Sequence, residues 1–493
     1  MDKTKIKVIM AAAEMEPLAK VGGLGDVVGS LPKALLKLGA EVKVFLPFYG
    51  SIDARKFRIK SLKKNIKLEI DGRQDNFDLY QTKLPGGVTV FLVKHQNFAT
   101  KDIYVGSRKY FKKGKSASSR KDDDVERFVF FSKAVVEAIK NLKLKADVIH
   151  CHDWHTALIP TFIDEYSLKD RNFKNISSLY TIHNLASQGI TSLDITDYAA
   201  LNYNLTPALM EDYYDRDGGK IDSMKVGILS ADHINTVSPN YAKEILSKEY
   251  GANLESYLLR RKKNLSGILN GIDVNFFNPQ KDKAIKSKYG VSDFSLGKAK
   301  NKEDLQKISK LDKTDAPLFG LVTRLVKQKG LDILLPALEV LLKKYDFQLV
   351  VLGTGQKDLE TGFQALAKKY PTKVKANITF DAALAQKIYA ASDFFLMPSK
   401  FEPCGLGQMI AMRYGTVPVV RSTGGLKDTV INNKTGIVFK KYTQVEMKKA
   451  LEASLRLYRN KGKLKKMIQL IMKQDFSWDV SAREYLKLYK KLK

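Results

Sequence analysis

The stretch IKVIMAAAEMEPLAKVGGLGDVVGSLPKALLKLG, residues 6–39, decides the fold. It begins with a short apolar run, residues 6–12, which is typical of a buried β-strand. A loop rich in glycine follows, and the residues after it have the spacing of an amphipathic helix. A strand, a glycine loop and a helix in this order begin a βαβ unit and therefore predict a parallel sheet.

The rest of the chain continues this alternation of short apolar runs with helical stretches. The series restarts near Leu318, after a Lys-rich stretch at residues 280–315. We therefore predict an α/β protein with two doubly wound halves, joined near residues 271–279 and facing each other across a cleft. Ligands of such folds bind at the carboxyl ends of the strands, so the loops there are the places to search. The other predicted strands are 42–46, 88–93, 147–150, 178–182, 233–237, 318–323, 348–352, 377–380, 394–398 and 417–421.

The composition excludes several classes of protein. The chain has 493 residues, 44% hydrophobic and 28% charged, which is not the composition of a fibrous or mainly disordered protein. Its two cysteines, Cys151 and Cys404, are too few for a disulfide framework, and we expect thiols in a reducing compartment. No apolar run has the length of a membrane span, and the first residues lack a signal-peptide core. We expect a soluble, cytoplasmic protein without a membrane partner.

The net charge is strongly positive, because 84 Lys and Arg outnumber 53 Asp and Glu and leave +31. Such a field attracts polyanions. Only 16 of the 84 are Arg, however, whereas readers of bases and phosphates favour the Arg fork. A solvated lysine-rich surface is therefore favoured and no specific nucleic-acid partner is expected, while a surface for other polyanions stays open.

The loop KVGGLGD, residues 20–26, is the first candidate site. Glycines before a helix let backbone amides of Gly22 and Gly23 approach a phosphate, and Lys20 adds a positive charge. The spacing is neither the dinucleotide fingerprint nor a Walker loop. A tight turn without a ligand is an equally good interpretation of the glycines alone.

The segment KVGGLGDVVGSLPKAL, residues 20–35, resembles the KTGGL signature of bacterial glycogen synthases and plant starch synthases. Further segments resemble the same family in the same order along nearly the whole chain. They are HCHDWHTALIP (150–160), YTIHNLASQGI (180–190), VSPNYAKEI (237–245), GILNGIDVNFFNP (267–279), VTRLVKQKGLDIL (322–334), PSKFEPCGLGQMIAMRYGTVPVVR (398–421) and STGGLKDTV (422–430).

This resemblance implies the two-domain GT-B fold, built from two Rossmann-like domains. It also implies transfer of glucose from ADP-glucose to the non-reducing end of an α-1,4-glucan, with retention of configuration and without a metal or other cofactor. The implied domains are residues 1–270 on the glucan side, residues 271–470 on the donor side, and a helix at 471–493 that returns to the first domain.

The resemblance also implies the groups that act on the donor diphosphate. A departing diphosphate gathers negative charge, so an enzyme without a metal must supply fixed positive charge there. Arg324 and Lys329 match the diphosphate-binding cations of the family at the same spacing, and Lys20 adds a third. Without the surrounding motif, Arg324 and Lys329 would be read as two surface cations.

Glu402 matches the glutamate that contacts the sugar in the family. A retaining glycosidase uses two carboxylates about 5 Å apart, but no second carboxylate is evident here, so we assign Glu402 a positional and electrostatic role. A salt bridge or a helix cap is the alternative. Backbone amides at the following helix start are expected to bind the donor. The implied donor-binding residues are Gly22, Gly23, Gly353, Phe380, Cys404, Gly405, Leu406 and Thr423.

Four of the six histidines, His150, His152, His155 and His183, lie in two short segments. Their spacing matches no known zinc site closely, and we predict no metal. By resemblance, His155 lies near the reacting glucose, while His152, Asp153 and His183 hold the loops in place.

Acidic positions complete the prediction. Asp26 and Asp123 correspond to acidic positions of the family, and the resemblance implies that they, with Asn184, position the acceptor or the sugar, since a carboxylate directs hydrogen bonds to hydroxyls. Helix capping explains the two carboxylates equally well.

One departure from the family pattern concerns the base. The chain has Phe380-Asp381-Ala382 where the family usually has Tyr before Asp-Glu, so an aromatic face is kept and a hydroxyl is lost. Two alternatives stay open: UDP-glucose as the donor, and a glucan-binding or polyanion-binding protein on the same fold without turnover.

Overall fold

The computed structural model describes residues 5–70, 72–105, 123–191 and 221–493. The chain forms two compact units. The first comprises Met1–Val237, Ala242–Ile268 and Trp478–Lys493, and the second comprises Ser238–Tyr241 and Leu269–Ser477. The domain limits predicted from the sequence were 270/271 and 470/471.

The strands of the described residues belong to two large sheets and one small pair. They are β1 (Lys7–Ala11), β2 (Glu41–Pro47), β3 (Lys60–Ile70), β4 (Arg73–Lys83), β5 (Thr89–Lys94), β6 (Val148–His152), β7 (Ser177–Ile182), β8 (Ile190–Thr191), β9 (Ile221–Asp222), β10 (His233–Thr236), β11 (Leu265–Gly267), β12 (Leu318–Val322), β13 (Gln348–Leu352), β14 (Val374–Asn377), β15 (Phe394–Met397), β16 (Val417–Arg421) and β17 (Ile437–Phe439).

The helices lie between these strands in the alternation that the sequence predicts. They are α1 (Gly23–Lys37), α2 (Asp123–Asn141), α3 (Ile159–Ser167), α4 (Ser223–Ser230), α5 (Pro239–Glu244), α6 (Glu255–Arg260), α7 (Phe294–Ser309), α8 (Leu331–Leu342), α9 (Lys357–Lys369), α10 (Ala382–Ala391), α11 (Gly407–Arg413), α12 (Gly424–Thr429), α13 (Gln444–Arg459), α14 (Lys461–Met472) and α15 (Trp478–Leu492).

The sheet of the first unit has the order β11-β10-β7-β6-β1-β2-β5-β4-β3. It is parallel from β11 to β5, whereas β4 pairs antiparallel with β5 and with β3. The sheet of the second unit, β14-β13-β12-β15-β16-β17, is parallel throughout. The predicted α/β class with parallel sheets is therefore confirmed.

The parallel strands are buried apolar runs, as sheets covered on both faces require. Strand β13 is buried at every residue, and in β12 only Val322 is partly exposed. Because parallel strands end at the same edge of a sheet, the loops that follow β1, β6 and β7 gather at one edge of the first unit. The loops that follow β12, β13, β15 and β16 do so in the second unit.

One predicted strand is wrong. The sequence predicts a strand at 377–380, but the strand is Val374–Asn377, and the following residues lead into helix α10. The Asp381 side chain caps this helix by accepting a hydrogen bond from the Leu384 amide at 2.9 Å. Phe380 is 90% exposed, so its aromatic ring is not part of a buried strand.

The hairpin of β3 and β4 was missed. Strand β3 is exposed over its first half and alternates buried and exposed residues only from Ile66 to Ile70. Lysines on an edge strand mask the apolar signal and also discourage edge-to-edge association. The alternation at 66–70 was the signal that could have identified the strand.

The C-terminal helix α15 belongs to the first unit. The Tyr489 hydroxyl lies 2.8 Å from His150 Nδ1, and Asn235 Nδ2 donates to the Tyr485 hydroxyl at 3.1 Å. These buried side-chain contacts attach the end of the chain to strands β6 and β10.

Both cysteines are free thiols, as expected, and the structure places both in buried positions. Among the described residues, none of the helices combines the length and apolar character that crossing a membrane requires.

Candidate functional site

The glycine loop of the first unit is organised by a residue to which the sequence analysis assigned no role. Glu14 follows strand β1, is only 4% exposed, and its Oε2 accepts hydrogen bonds from the amides of Val21 (2.7 Å) and Gly22 (2.8 Å). Its Oε1 accepts a hydrogen bond from the Tyr104 hydroxyl at 2.6 Å. The loop thus folds back on the carboxylate of its own first residue.

These bonds change the interpretation of the loop amides. The Gly22 amide, predicted to approach a phosphate, donates to Glu14 in this structure. Gly23 instead begins helix α1, where first-turn amides have no acceptor within the helix. A phosphate contact from this loop would therefore come from Gly23 onward.

Lys20 and Asp26 form an ion pair with an Nζ–Oδ1 distance of 2.6 Å, and Glu16 lies 3.7 Å from the same ammonium group. Asp26 lies in the first turn of α1, where a carboxylate interacts favourably with the positive end of the helix dipole. Burial raises the pKa of Asp26, while the hydrogen bond from Lys20 acts against that shift. Both predicted residues therefore lie in one small cluster at the mouth of the glycine loop.

His155 lies in a 3-10 turn after strand β6, in a wall of aromatic rings. Its ring centroid is 4.1 Å from that of Trp154, 4.6 Å from Phe128 and 5.2 Å from Tyr104. Burial lowers the pKa of His155 to about 3, so the imidazole is neutral at physiological pH. Its Nδ1 has no hydrogen-bond partner among the described residues, and the Ser132 hydroxyl donates to its carbonyl at 3.3 Å.

Asp153 joins the loops after β6 and β7. Its Oδ1 accepts hydrogen bonds from the amides of His183 (2.7 Å) and Asn184 (3.4 Å), and its φ is +56°. Burial raises the pKa of Asp153 to about 7. His152 Nδ1 lies 3.0 Å from His183 Nε2. Asp153, His152 and His183 therefore hold the two loops together, and the hydrogen bond to Asp153 fixes the backbone of Asn184.

The two ring nitrogens of His150 lie within hydrogen-bond distance of the Thr181 and Tyr489 hydroxyls, and its ring packs against that of His152 with the centroids 4.0 Å apart. Among the residues that the structure describes, no group of His, Cys, Asp and Glu has the arrangement of a metal site.

Asp123 begins helix α2, but its side chain lies outside the described part of the chain. The next residue, Asp124, accepts hydrogen bonds from the Val105 amide at 3.1 Å and from Arg127 Nη1 at 2.7 Å. It therefore fixes the loop that carries Tyr104.

In the second unit, Arg324 and Lys329 lie in the loop between β12 and α8. Arg324 is exposed. Lys329 ends a 3-10 turn, and Gly330 follows with a φ of +72°. A Cβ on Gly330 would lie 1.9 Å from the Pro398 carbonyl oxygen, so only glycine lets this turn approach the loop after β15.

This close approach brings Lys329 to Glu402. The Lys329 ammonium donates to both carboxylate oxygens of Glu402, at 2.9 and 2.7 Å, and the Ser399 hydroxyl donates to Oε2 at 2.8 Å. Glu402 is 6% exposed. Two residues predicted from separate motifs, 73 positions apart, thus form one partly buried ion pair.

The Glu402 loop is also held by groups that were not predicted from the sequence. Arg421 Nε donates to the Ser399 carbonyl at 2.9 Å, and its Nη2 donates to the Lys400 carbonyl. The Gly425 amide donates to the Glu402 carbonyl at 3.2 Å. Gly424 has a φ of +44°, and a Cβ there would lie 1.8 Å from that same oxygen. The TGG motif could have suggested a close backbone approach.

The remaining predicted donor-binding residues have these positions. Leu406 is the N-cap of α11, Gly405 precedes it with a φ of +73°, and burial raises the pKa of the Cys404 thiol to about 12. Thr423 is the fully buried N-cap residue of α12. The Gly353 amide donates to the Asn377 carbonyl at 3.1 Å, at the end of β13.

A cavity of about 680 Å³ in the first unit lies apart from these loops. Its lining includes Phe48, Asn65, Asp75, Asp78 and His95. None of the predicted site residues lines it.

Two family profiles match the chain. The profile described as starch synthase catalytic domain covers residues 7–260, and the profile described as glycosyl transferases group 1 covers residues 302–471.

Curated relatives match over the full length. A glycogen synthase of Thermosipho africanus is 43% identical, and one of Thermotoga maritima is 41% identical; each alignment covers 99% of this chain and 99% of the relative. Among solved structures, the catalytic domain of starch synthase IV from Arabidopsis thaliana, bound to ADP and acarbose, is 33% identical. It has a TM-score of 0.88 and covers 99% of both chains.

Proposed function

The chain belongs to the glycogen and starch synthase family of GT-B glycosyltransferases, and on that premise we propose that it elongates α-1,4-glucan with glucose from ADP-glucose. One observation carries the assignment: relatives named glycogen synthase match it from end to end. Transfer occurs to the non-reducing end of the glucan with retention of configuration, and the proposal includes no resident cofactor. The reaction is placed in the cytoplasm.

The second unit binds the donor in this proposal. Negative charge builds on the diphosphate as the glucosyl bond breaks, and cations fixed in advance stabilise it. Arg324 offers an exposed guanidinium, and Lys329 is held by Glu402. In the proposal, Arg324 therefore binds the diphosphate, and Lys329 adds a second positive charge whose position is fixed by the buried Glu402.

Glu402 acts as a positioning group. Its carboxylate oxygens already accept hydrogen bonds from Lys329 and Ser399. A carboxylate engaged in this way is a poor nucleophile, since its lone pairs are committed to charged and polar donors. Retention is then explained by attack on the face from which the diphosphate leaves, and not by a glycosyl-enzyme intermediate.

The first unit positions the glucan and the reacting glucose. The neutral His155 ring and the Asn184 amide can take part in hydrogen bonds with sugar hydroxyls without adding charge. Lys20, with Asp26, presents a cation at the glycine loop. Donor contacts by Gly23, Gly353, Phe380, Cys404, Gly405, Leu406 and Thr423, and sugar contacts by Asp26 and Asp123, remain part of the proposal.

A donor assay tests this function. The purified protein is incubated with glycogen or a maltooligosaccharide and labelled ADP-glucose, with UDP-glucose as the matched alternative. We expect incorporation from ADP-glucose to exceed incorporation from UDP-glucose. A preference for UDP-glucose would correct the donor alone, whereas glucan binding without incorporation from either donor would overturn the proposal in favour of a binding protein.

A further inference from the structure

We infer that Glu14 and Tyr104 are positioning residues, which together fix the glycine loop so that Lys20 is held ready for the donor. The inference rests on the proposed function, because it concerns how the Lys20 loop serves glucose transfer. Neither residue was among those predicted from the sequence motifs.

Three donors converge on the Glu14 carboxylate. Two are the amides of Val21 and Gly22, at 2.7 and 2.8 Å, and the third is the Tyr104 hydroxyl at 2.6 Å. Hydrogen bonds to a charged acceptor are short and about twice as strong as neutral ones. A buried acceptor with three such donors holds a single loop conformation.

The hydrogen bonds from the Val21 and Gly22 amides to Glu14 join the two ends of the loop. Within the loop, Met15 and Ala19 exchange backbone hydrogen bonds of 2.7 and 2.9 Å. Lys20 lies between this pair and the Val21 amide that Glu14 holds. Without the Glu14 carboxylate, the Val21 and Gly22 amides would lose their acceptor, and Lys20 would lose its fixed backbone.

We call the hydrogen bonds that join Glu14 to Val21, Gly22 and Tyr104 the brace. Through Tyr104, the brace reaches a second part of the site. Its ring centroid is 5.2 Å from that of His155 and 6.3 Å from that of Phe128. Burial and the neighbouring Glu14 carboxylate raise the pKa of Tyr104 far above its ordinary value, so the hydroxyl keeps its proton and donates. One hydrogen bond therefore links the Lys20 loop to the wall that carries His155.

The role is positioning, because the oxygens of Glu14 already have partners and the carboxylate is almost fully buried. The chain offers a matched pair elsewhere: the Tyr414 hydroxyl donates to the buried Asp282 carboxylate at 2.5 Å in the second unit. Tyr414→Phe removes a comparable hydrogen bond that contacts no predicted site residue.

The experiment compares Tyr104→Phe, Glu14→Ala and the control Tyr414→Phe by kcat and KM for ADP-glucose, and by thermal unfolding. A hydrogen bond to a charged group contributes about 1.5–3 kcal/mol, and each 1.36 kcal/mol is tenfold in rate. We therefore expect kcat/KM to fall about 10-fold in Tyr104→Phe and about 100-fold in Glu14→Ala. Tyr414→Phe should stay within about twofold of the wild type at a similar loss of Tm.

A double-mutant cycle tests whether the effect passes through Lys20. In a Lys20→Ala background, Tyr104→Phe should lower kcat/KM by less than about threefold, because the group that it positions is already absent. A full 10-fold loss in that background would overturn the inference, and so would equal losses of activity in Tyr104→Phe and Tyr414→Phe.

Hydrogen exchange separates this inference from the proposed function. The Val21 and Gly22 amides should be protected in the wild type and should exchange faster in Glu14→Ala and Tyr104→Phe. A wild type that transfers no glucose would refute the proposed function. Unprotected Val21 and Gly22 amides in the wild type would refute the brace.

Discussion

The two units hold their candidate site residues in opposite ways. In the first unit, buried carboxylates such as Glu14 and Asp153 accept hydrogen bonds from backbone amides and so fix the loops. The buried histidines nearby, such as His155 and His183, are neutral. In the second unit, a partly buried ion pair joins Lys329 to Glu402, and the backbone of the Glu402 loop is fixed by Arg421 and by close glycine contacts.

This difference suits the two ligands of the proposed function. A diphosphate is recognised by fixed cations, because its charge grows during the reaction. A glucan is neutral and is recognised by directed hydrogen bonds, for which uncharged groups on a well-positioned loop suffice. Three substitutions and one change of pH test this difference between the units.

The largest expected effect is on acid stability. All six histidines lie in the first unit, and burial lowers the pKa of each. Below the unfolded pKa of about 6.5, the unfolded chain therefore binds protons that the folded unit does not. Their stabilisation is fully present above about pH 6.5 and is lost as pH falls. Three carboxyl groups of the first unit oppose this, because burial raises the pKa of Asp153 to about 7, that of Asp164 to about 6 and that of Asp26 above its ordinary value.

For each fully buried neutral histidine, the free energy of unfolding falls by up to about 1.4 kcal/mol per pH unit as the pH decreases below about 6.5. Between about pH 7 and pH 5, hydrogen exchange resolved by peptide should therefore show the first unit losing several kcal/mol of protection. The second unit contains no histidine and serves as the internal control. Equal losses in both units would contradict the comparison.

The next effect is on catalysis in the second unit. Arg324→Ala should lower the glucose transfer rate at least about 100-fold, because a transition-state charge partner is removed. Lys327→Ala removes another exposed cation from the same loop and is the control; it should change the rate by less than about threefold. Near-normal transfer by Arg324→Ala would remove Arg324 from the mechanism.

A smaller effect concerns the backbone that holds Glu402. Gly424→Ala combines a positive φ with a Cβ that would lie 1.8 Å from the Glu402 carbonyl oxygen. We expect it to destabilise the second unit by at least about 2 kcal/mol, measured by chemical denaturation. Wild-type stability in Gly424→Ala would show that the two loops do not need this contact.

The smallest effect on stability is expected at the glycine loop of the first unit. Gly22 has a φ of −140°, and no atom lies within 4 Å of a Cβ built there. Gly22→Ala should therefore change the free energy of unfolding by less than about 1 kcal/mol. If it nevertheless abolishes transfer, the glycine serves close approach of a ligand; if transfer is unchanged, Gly22 does not contact the donor.

Much of the fold could be predicted, because buried parallel strands appear as apolar runs between helical stretches. The runs at 348–352 and 417–421 match their strands at both ends. The hairpin of β3 and β4 was missed because an exposed edge strand lacks that run, and 377–380 was misplaced because Phe380 is exposed.

The site was predicted by type more readily than by geometry. The motifs identified Lys329 and Glu402 separately, yet only the approach of Gly330 to Pro398 makes them a pair. Glu14 lies in the stretch 6–39 but outside the KVGGLGD motif, and its contact with Tyr104, 90 residues away, cannot be seen in the sequence.

By itself, the sequence determined the alternation of strands and helices, the excess of positive charge and the residue types placed after each strand. These are local properties, written in the order and polarity of neighbouring residues. Which side chains meet was decided by the tertiary structure alone. A hydrogen bond needs a separation of about 3 Å, and only the parallel stacking of strands brings loops distant in the chain to one edge of a sheet.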